Sequence, residues 1–309
     1  MTDTSERLVE SLGATYGVHP GYRAAHAKGT LCAATFTPAP AAAGLSRAPH
    51  FAGPPVAAHV RFSNGSGDPT APDNARDGRG MAVKFYLPDG STTDLVAISL
   101  PVFFARTPED LLEFNAARRP DPATGAPDIE KVGEYLGRHP EAVPAVTAAV
   151  THIIPVSYAT LTYHSIHAFA FTDSADARRH GRYHLHPAAG ERGLSESDAA
   201  AAQPDYLQDE LAARLTKGPV SFTITVELAA DGDPVDDPTA VWPADREEVE
   251  LGRLDITGLA FDRERDGDIL VFDPIRLPDG IAPTNDAILL ARSDAYRVSV
   301  TRRVSASTQ

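Results

Sequence analysis

The sequence predicts an α+β fold built around one antiparallel sheet that twists and closes on itself. Three observations predict it. Runs such as VAAHVRFS (56–63), GMAVKFYL (80–87) and SFTITVEL (221–228) alternate apolar and polar residues and are rich in β-branched and aromatic types. Turn signals separate the runs, among them PDG at 88–90 and 278–280 and ADGD at 230–233. Several such strands leave unpaired edges unless the sheet closes, so a barrel is the expected form.

Taken in order, residues 3–14 have helical spacing, with Leu8, Val9 and Leu12 on one side. Beyond His26 the period changes to two, and the first long strand begins. TLTYHSIHAFAFT (160–172) and DILVFDP (268–274) read as further strands. TPEDLLEFNAARR (107–119) reads as a helix with a threonine cap and acids in its first turn. DIEKVGEYLGRH (128–139), the alanine-rich 140–151 and SESDAAAAQPDYLQDELAARL (195–215) are also helical. PTNDAILLARSDAYRV (283–298) reads as a last helix, capped by Thr284 or Asn285. There is no internal repeat and no long linker, so residues 1–309 read as one domain behind a short N-terminal helix.

A chain of 309 residues, 42% hydrophobic and 23% charged, can bury a sizeable core. Its 42 acidic and 28 basic side chains give a net charge of -14, which argues against general affinity for nucleic acid or an anionic membrane. A few arginines can still converge on a buried anion. Cys32 is the single cysteine, so neither an intramolecular disulfide nor a cysteine metal cluster is expected. The start lacks a basic segment followed by an apolar run, and nowhere do about eighteen apolar residues run together. A soluble, cytoplasmic protein is the expectation, and a homodimer stays open.

YRAAHAKGTLC (22–32) sets an imidazole, His26, between a cation and a turn at the entrance to the first strand. An isolated histidine is more often a satisfied packing residue than a catalyst. Arg292 and Tyr296 lie four apart on the last helix and share a face. Their bland reading is surface packing; their sharp reading is a phenol held ionised by a guanidinium, as a metal requires of tyrosine. His184 and His186 point to one strand face, and His164 and His167 to opposite faces, without a carboxylate at a supporting spacing. A solvated strand face is the better reading than a zinc site. GSGDPTAPDNARDGRG (65–80) has the glycines of a phosphate loop but lacks GK[ST] and opens no helix, so a loop tied by its own Asp–Arg pairs is expected.

RAAHAKG, VRFSNGSG…DNARDGRGMAVKFY, DLVAISLPVFFARTP, VWP with LGRLDI, and GIAP…ARSDAY stand in the order and approximate spacing of the haem catalases. The chain resembles that family from about residue 16 to about 303 and, in length, its small catalase-related peroxidases. The resemblance implies an eight-stranded antiparallel catalase barrel with flanking helices, and haem b as cofactor. It makes His26 the distal general base and acid on peroxide, and Ser63 the serine that fixes its tautomer. Tyr296 becomes the phenolate ligand of the iron, Arg292 the arginine that keeps it ionised, and His167 and Asp286 further members of one proximal chain. Arg23, Arg61 and Arg303 are implied to hold the propionates, with Arg302 the alternative to the last. Phe62, Phe103, Phe104 and Phe114 are implied to line the pocket.

The departures bear on the reaction. Ile98, with Ser99 beside it, stands where the family's catalases carry an asparagine that holds peroxide. Leu111 replaces a ring over the haem, and Ala24 and Ala25 replace bulkier residues. A more apolar, roomier pocket suits an organic reductant better than a second peroxide. The expected function is peroxidase chemistry: hydrogen peroxide or an organic hydroperoxide oxidises a small organic donor, with weak catalase activity at most. A haem enzyme that rearranges or dehydrates a hydroperoxide, and a non-catalytic haem or lipid carrier, are the alternatives.

Overall fold

A computed structural model describes residues 3–261 and 269–307. Eight antiparallel strands follow the helix α1 (Thr4–Tyr16): β1 (Gly29–Pro38), β2 (Val56–Asn64), β3 (Arg79–Tyr86), β4 (Thr92–Ile98), β5 (Tyr163–Thr172), β6 (Arg178–Pro187), β7 (Val220–Leu228) and β8 (Glu248–Leu259). β1 pairs with both β2 and β8, and the chain of neighbours runs β4-β3-β2-β1-β8-β7-β6-β5. β4 meets β5 at Ile98 and His164, which closes the barrel, and β9 (Ile281–Pro283) adds to β5. Alternation fills the interior: Phe36, Val60, Phe62, Phe85, Tyr163, Phe171, Phe222, Leu254 and Ile256 belong to one buried cluster.

Closure requires the strands to bend. The β7–β8 register shifts between Ile224 and Thr225, and the β1–β8 register between Ala33 and Ala34. Gly252 sits at the first of these at φ 151, where a Cβ would come 2.3 Å from the Thr37 carbonyl and 2.8 Å from the Phe36 ring. Only glycine lets β8 pass so close.

The helices are α2 (Ala42–Leu45), α3 (Pro108–Ala117), α4 (Ile129–Arg138), α5 (Val143–Thr151), α6 (Glu196–Ala201), α7 (Tyr206–Leu215) and α8 (Ala287–Ser307). α3 opens with the expected cap: Thr107 Oγ1 accepts from Asp110 N and Asp110 returns a bond to Thr107 N. The 195–215 stretch is two helices, because Pro204 supplies no N–H between them. α8 is capped by Asp286, not by Thr284 or Asn285: its Oδ1 accepts from Ile288 N at 2.9 Å and Leu289 N at 3.1 Å. Among the described residues no helix is long and apolar enough to cross a membrane.

DILVFDP is not a strand. Asp268 lies outside the described residues, and 269–274 run without pairing. The alternation serves burial instead, with Leu270 and Phe272 packed on Leu31. Asp94 fixes this segment: its Oδ2 accepts from Asp273 N at 2.8 Å and from Arg276 Nη1 at 2.7 Å, and its Oδ1 meets Lys84 Nζ at 2.5 Å. In the 65–80 loop Arg79 bonds the carbonyls of Asp73, Ala75 and Asp77 and lies 3.9 Å from the Asp77 carboxylate. Backbone carbonyls, more than Asp–Arg pairs, tie that loop.

Phe36 is fully buried, edge-on to Phe85 at 5.2 Å and to Phe51 at 6.4 Å. Phe36→Ala is expected to cost about 3–5 kcal/mol in denaturant unfolding. A loss below about 1 kcal/mol would remove this cluster from the centre of the fold.

Candidate active site

A cavity of about 610 Å³ lies between strands β2–β5 and helices α1, α3, α5 and α8, within the roughly 300–1,000 Å³ of cofactor and small-molecule sites. Its lining is mostly apolar. It also holds six arginines (Arg23, Arg61, Arg76, Arg118, Arg292, Arg303) against one acid, Asp77, among the described residues.

His26 lines this cavity with its backbone at φ 56, one of two described non-glycine residues with positive φ. That conformation costs of order 1–3 kcal/mol unless the surroundings impose it. They do. His26 N donates to Gly65 O at 3.2 Å, Arg61 Nη1 donates to His26 O at 3.0 Å, and Nδ1 bonds Ser63 Oγ at 3.0 Å. Gly80 clears the space beneath, since a Cβ there would lie 2.6 Å from Ser63 Oγ and 2.8 Å from His26 Nδ1. The second ring nitrogen has no bond among the described residues and belongs to a side chain facing the cavity. Burial away from bulk water, and then the fields of Arg61, Arg292 and Arg23, lower its pKa to about 3. The imidazole is therefore neutral at ordinary pH.

Tyr296 comes from α8. Arg292, one turn earlier, donates Nε to its phenol oxygen at 3.0 Å and adds a second bond through Nη2. Two hydrogen bonds from one guanidinium hold the phenol oxygen in place at the cavity wall. His167 on β5 bonds Asp286 Oδ2 through Nδ1 at 2.6 Å, both side chains being about 1% exposed. His167 Nε2 is buried without a partner among the described residues, in a side chain that lines the cavity. The Asp286–His167 and Arg292–Tyr296 pairs are thus separate hydrogen-bonded units, linked by the field of Arg292 on His167.

Arg23, Arg61 and Arg303 all line the cavity. Arg23 Nη2 donates to Leu270 O at 3.0 Å, and Arg61 also reaches Ala27 O at 3.1 Å. Arg303 is 3% exposed, whereas Arg302 is on the surface beside Glu10. So much positive charge in an apolar cavity fits an anionic, largely apolar guest. The phenol and imidazole are the donor types that a metal within such a guest would use.

Ile98, Phe103, Phe104, Leu111 and Phe114 also line the cavity, with Phe104 stacked on Phe114 at 4.9 Å. Phe62 does not. Alternation on β2 points Arg61 and Ser63 to the cavity and Phe62 into the barrel, where it stacks on Tyr158 at 5.5 Å. Asp286 also lies outside the lining and acts through His167. Ser99 turns away from the cavity and bonds Arg79 N and His152 Nε2. His164 and His184 share a 2.8 Å contact between their Nδ1 atoms, on a face more buried than a solvated one.

The sequence reading misses Met81, Val96, Ile166 and Phe272, which look like any other strand or core residue. It also misses Tyr16 and Arg118. Gly80, inside the quoted DGRG, carried a signal: a glycine next to a strand start often marks close approach.

The chain matches the family model for catalase over residues 20–309. It is 44% identical to a catalase-related peroxidase of Mycolicibacterium paratuberculosis over 303 residues, 97% of this chain and 95% of that one. A catalase-related peroxidase of Synechococcus elongatus is 34% identical over 97% of this chain and 88% of its own. Catalase A from Saccharomyces cerevisiae shares the fold with a TM-score of 0.81 at 23% identity, over 90% of this chain and 61% of that one. The chain thus spans about three-fifths of that solved catalase.

Acid should destabilise the protein over a defined window. His26, His50 and His164 all have folded pKa values of about 3, each lowered first by burial. The unfolded chain takes up these protons near pH 6.5, so stability is complete above that pH and falls as pH drops toward 3. Each histidine contributes a slope of up to about 1.4 kcal/mol per pH unit. Melting temperature should fall steeply below pH 6, and His50→Phe should flatten that fall. A melting temperature constant from pH 7 to 4 would contradict it.

Proposed function

The chain belongs to the catalase family, and we propose that it is a haem b peroxidase that uses hydrogen peroxide or an organic hydroperoxide to oxidise small organic donors. The observation that carries this reading is one cavity lined by two held groups, His26 with Ser63 and Tyr296 with Arg292. The peroxidase names of the relatives support it. Tyr296 would ligate the iron, and Arg23, Arg61 and Arg303 would hold the propionates. Buried unpaired carboxylates cost several kcal/mol each, which explains the concentration of arginines in an acidic chain. Bound there, haem supplies the redox chemistry that cleaves the peroxide O–O bond and accepts electrons from the donor.

The chain's own residues supply the rest. Neutral His26 accepts a proton from peroxide at the nitrogen facing the cavity and returns it to the departing oxygen. Ser63 holds the ring through Nδ1. Arg292 holds the Tyr296 oxygen by two hydrogen bonds, and the Asp286–His167 pair braces the wall of the cavity beside it. Ile98 gives the cavity a methyl surface where an amide would bond peroxide. A second peroxide therefore dwells briefly, while an apolar donor gains contact area. Catalase activity is correspondingly weak. Mere carriage of haem or lipid leaves the positive-φ His26, held by Ser63 and Arg61, without a role.

Two substitutions test this reading. Tyr296→Phe should lose haem or change the ferric absorption spectrum; an unchanged spectrum would refute the ligand assignment. Ile98→Asn should raise dioxygen release relative to donor oxidation, by up to about tenfold for one added hydrogen bond. Wild-type oxygen evolution matching that of a large catalase, or no rise in the variant, would refute the account of the pocket. Hydroperoxide consumed without donor oxidation, giving a rearranged product, would favour the isomerase reading.

A further inference from the structure

Of the six arginines lining the cavity, the proposed function uses Arg23, Arg61, Arg292 and Arg303. Arg76 leans outward to the Glu196 carboxylate and the His152 carbonyl. Arg118 remains. It follows α3, and all of its partners are neutral. Nε and Nη2 donate to Asn115 Oδ1 at 3.0 and 2.9 Å, and Nη1 donates to the Tyr16 hydroxyl at 2.7 Å. The guanidinium lies over the Tyr16 ring at 5.0 Å and the Phe114 ring at 5.4 Å. Among the described residues no carboxylate pairs with it. Three of the five guanidinium N–H groups are engaged, which leaves two on a residue that lines the cavity.

Arg118 stands on the His26 side of the cavity. A Cβ on Gly67 would touch both the Tyr16 Cβ and the carbonyl of Ala24, so Arg118's partner Tyr16 lies beside the segment that leads into His26. Asp77, the one acid of the lining among the described residues, makes no ion pair with Arg118, and burial raises its pKa despite Arg79 and Arg118. The cavity that Arg118 lines also has apolar walls, among them Leu12, Leu111, Val132, Val146 and Val150. Val150 is both a lining residue and 64% exposed, which marks the mouth.

We propose that Arg118 is a specificity-determining residue that captures the carboxylate of an apolar organic co-substrate entering toward His26. The proposal rests on the peroxidase reading and names its substrate class: an aromatic or aliphatic carboxylate, arriving either as electron donor or as hydroperoxide. A planar guanidinium with neutral, aromatic neighbours is suited to a forked carboxylate bond, and the apolar walls would take the remainder of the molecule. The competing explanation is mechanical, with Arg118 fastening α1 to α3 through Tyr16.

The test uses the full chain loaded with haem. With hydrogen peroxide, kcat/KM is compared for para-hydroxyphenylpropionate and its methyl ester; in a second arm, for linoleic acid hydroperoxide and its methyl ester. Wild type should prefer the carboxylate by about tenfold or more in the arm that corresponds to the true co-substrate, mainly through KM. Arg118→Gln should bring that ratio toward one, and Arg118→Lys, which keeps the charge but loses the fork, should give an intermediate ratio. Calorimetric titration with decanoate against decanol reads the same site without turnover. A decanoate preference that depends on Arg118 in a protein that oxidises neither donor would sink the peroxidase reading and keep the subsite. Equal preference in wild type, or parallel losses for acid and ester in both variants, would leave only the mechanical role and overturn the proposal.

Discussion

The backbone at His26 governs the candidate site. A histidine at positive φ persists only if its neighbours leave it no alternative, and four of them do so here. Ser63 and Arg61 are alternate residues of one strand, so a single stretch of β2 holds the ring and the carbonyl of His26 together. Gly80, directly across the ladder from Ser63, provides the room. The barrel's register thus becomes the geometry of a side chain outside it. A slip of one residue in β2–β3 pairing would point Phe62 at the imidazole and turn Ser63 inward.

Charge is arranged by the same logic of opposite faces. The chain is strongly acidic as a whole, yet its cavity gathers guanidinium groups. They come from the segment before β1 (Arg23), from β2 itself (Arg61), from the β2–β3 loop (Arg76), from the end of α3 (Arg118) and from the last helix (Arg292 and Arg303). α8 contributes Arg292, Tyr296 and Arg303 along one side, and its N-terminus is fixed by Asp286, whose other oxygen holds His167. One carboxylate therefore sets both the start of the helix and the orientation of an imidazole in the cavity wall.

Much of this was legible beforehand, and the limits have physical causes. Period-two runs marked β2, β3, β5 and β7, because their alternate residues meet a core on one side. β6, with RRHGRYHLHP, shows only in the alternation of His184 and His186, because charged residues fill its first half. DILVFDP has the period of a strand, but over 269–274 that alternation serves burial against Leu31 instead of pairing. At the site, short-range geometry such as the four-residue spacing of Arg292 and Tyr296 is readable, whereas the resemblance implies Phe62 for the pocket and the alternation of β2 turns it into the barrel. Arg118 and Tyr16 were unreadable, since their meeting depends on how α1 crosses α3.

The seam of the barrel has a consequence of its own. β4 and β5 share one paired position, Ile98 with His164, where the other neighbouring strands of the ring share seven or more. Backbone amides along so thinly bonded a line open at lower free energy than those of a full ladder. Hydrogen exchange should therefore be fastest in the wall that carries Ile98 and Ile166. The cavity wall is firmly bonded beneath His26 and compliant along the β4–β5 seam.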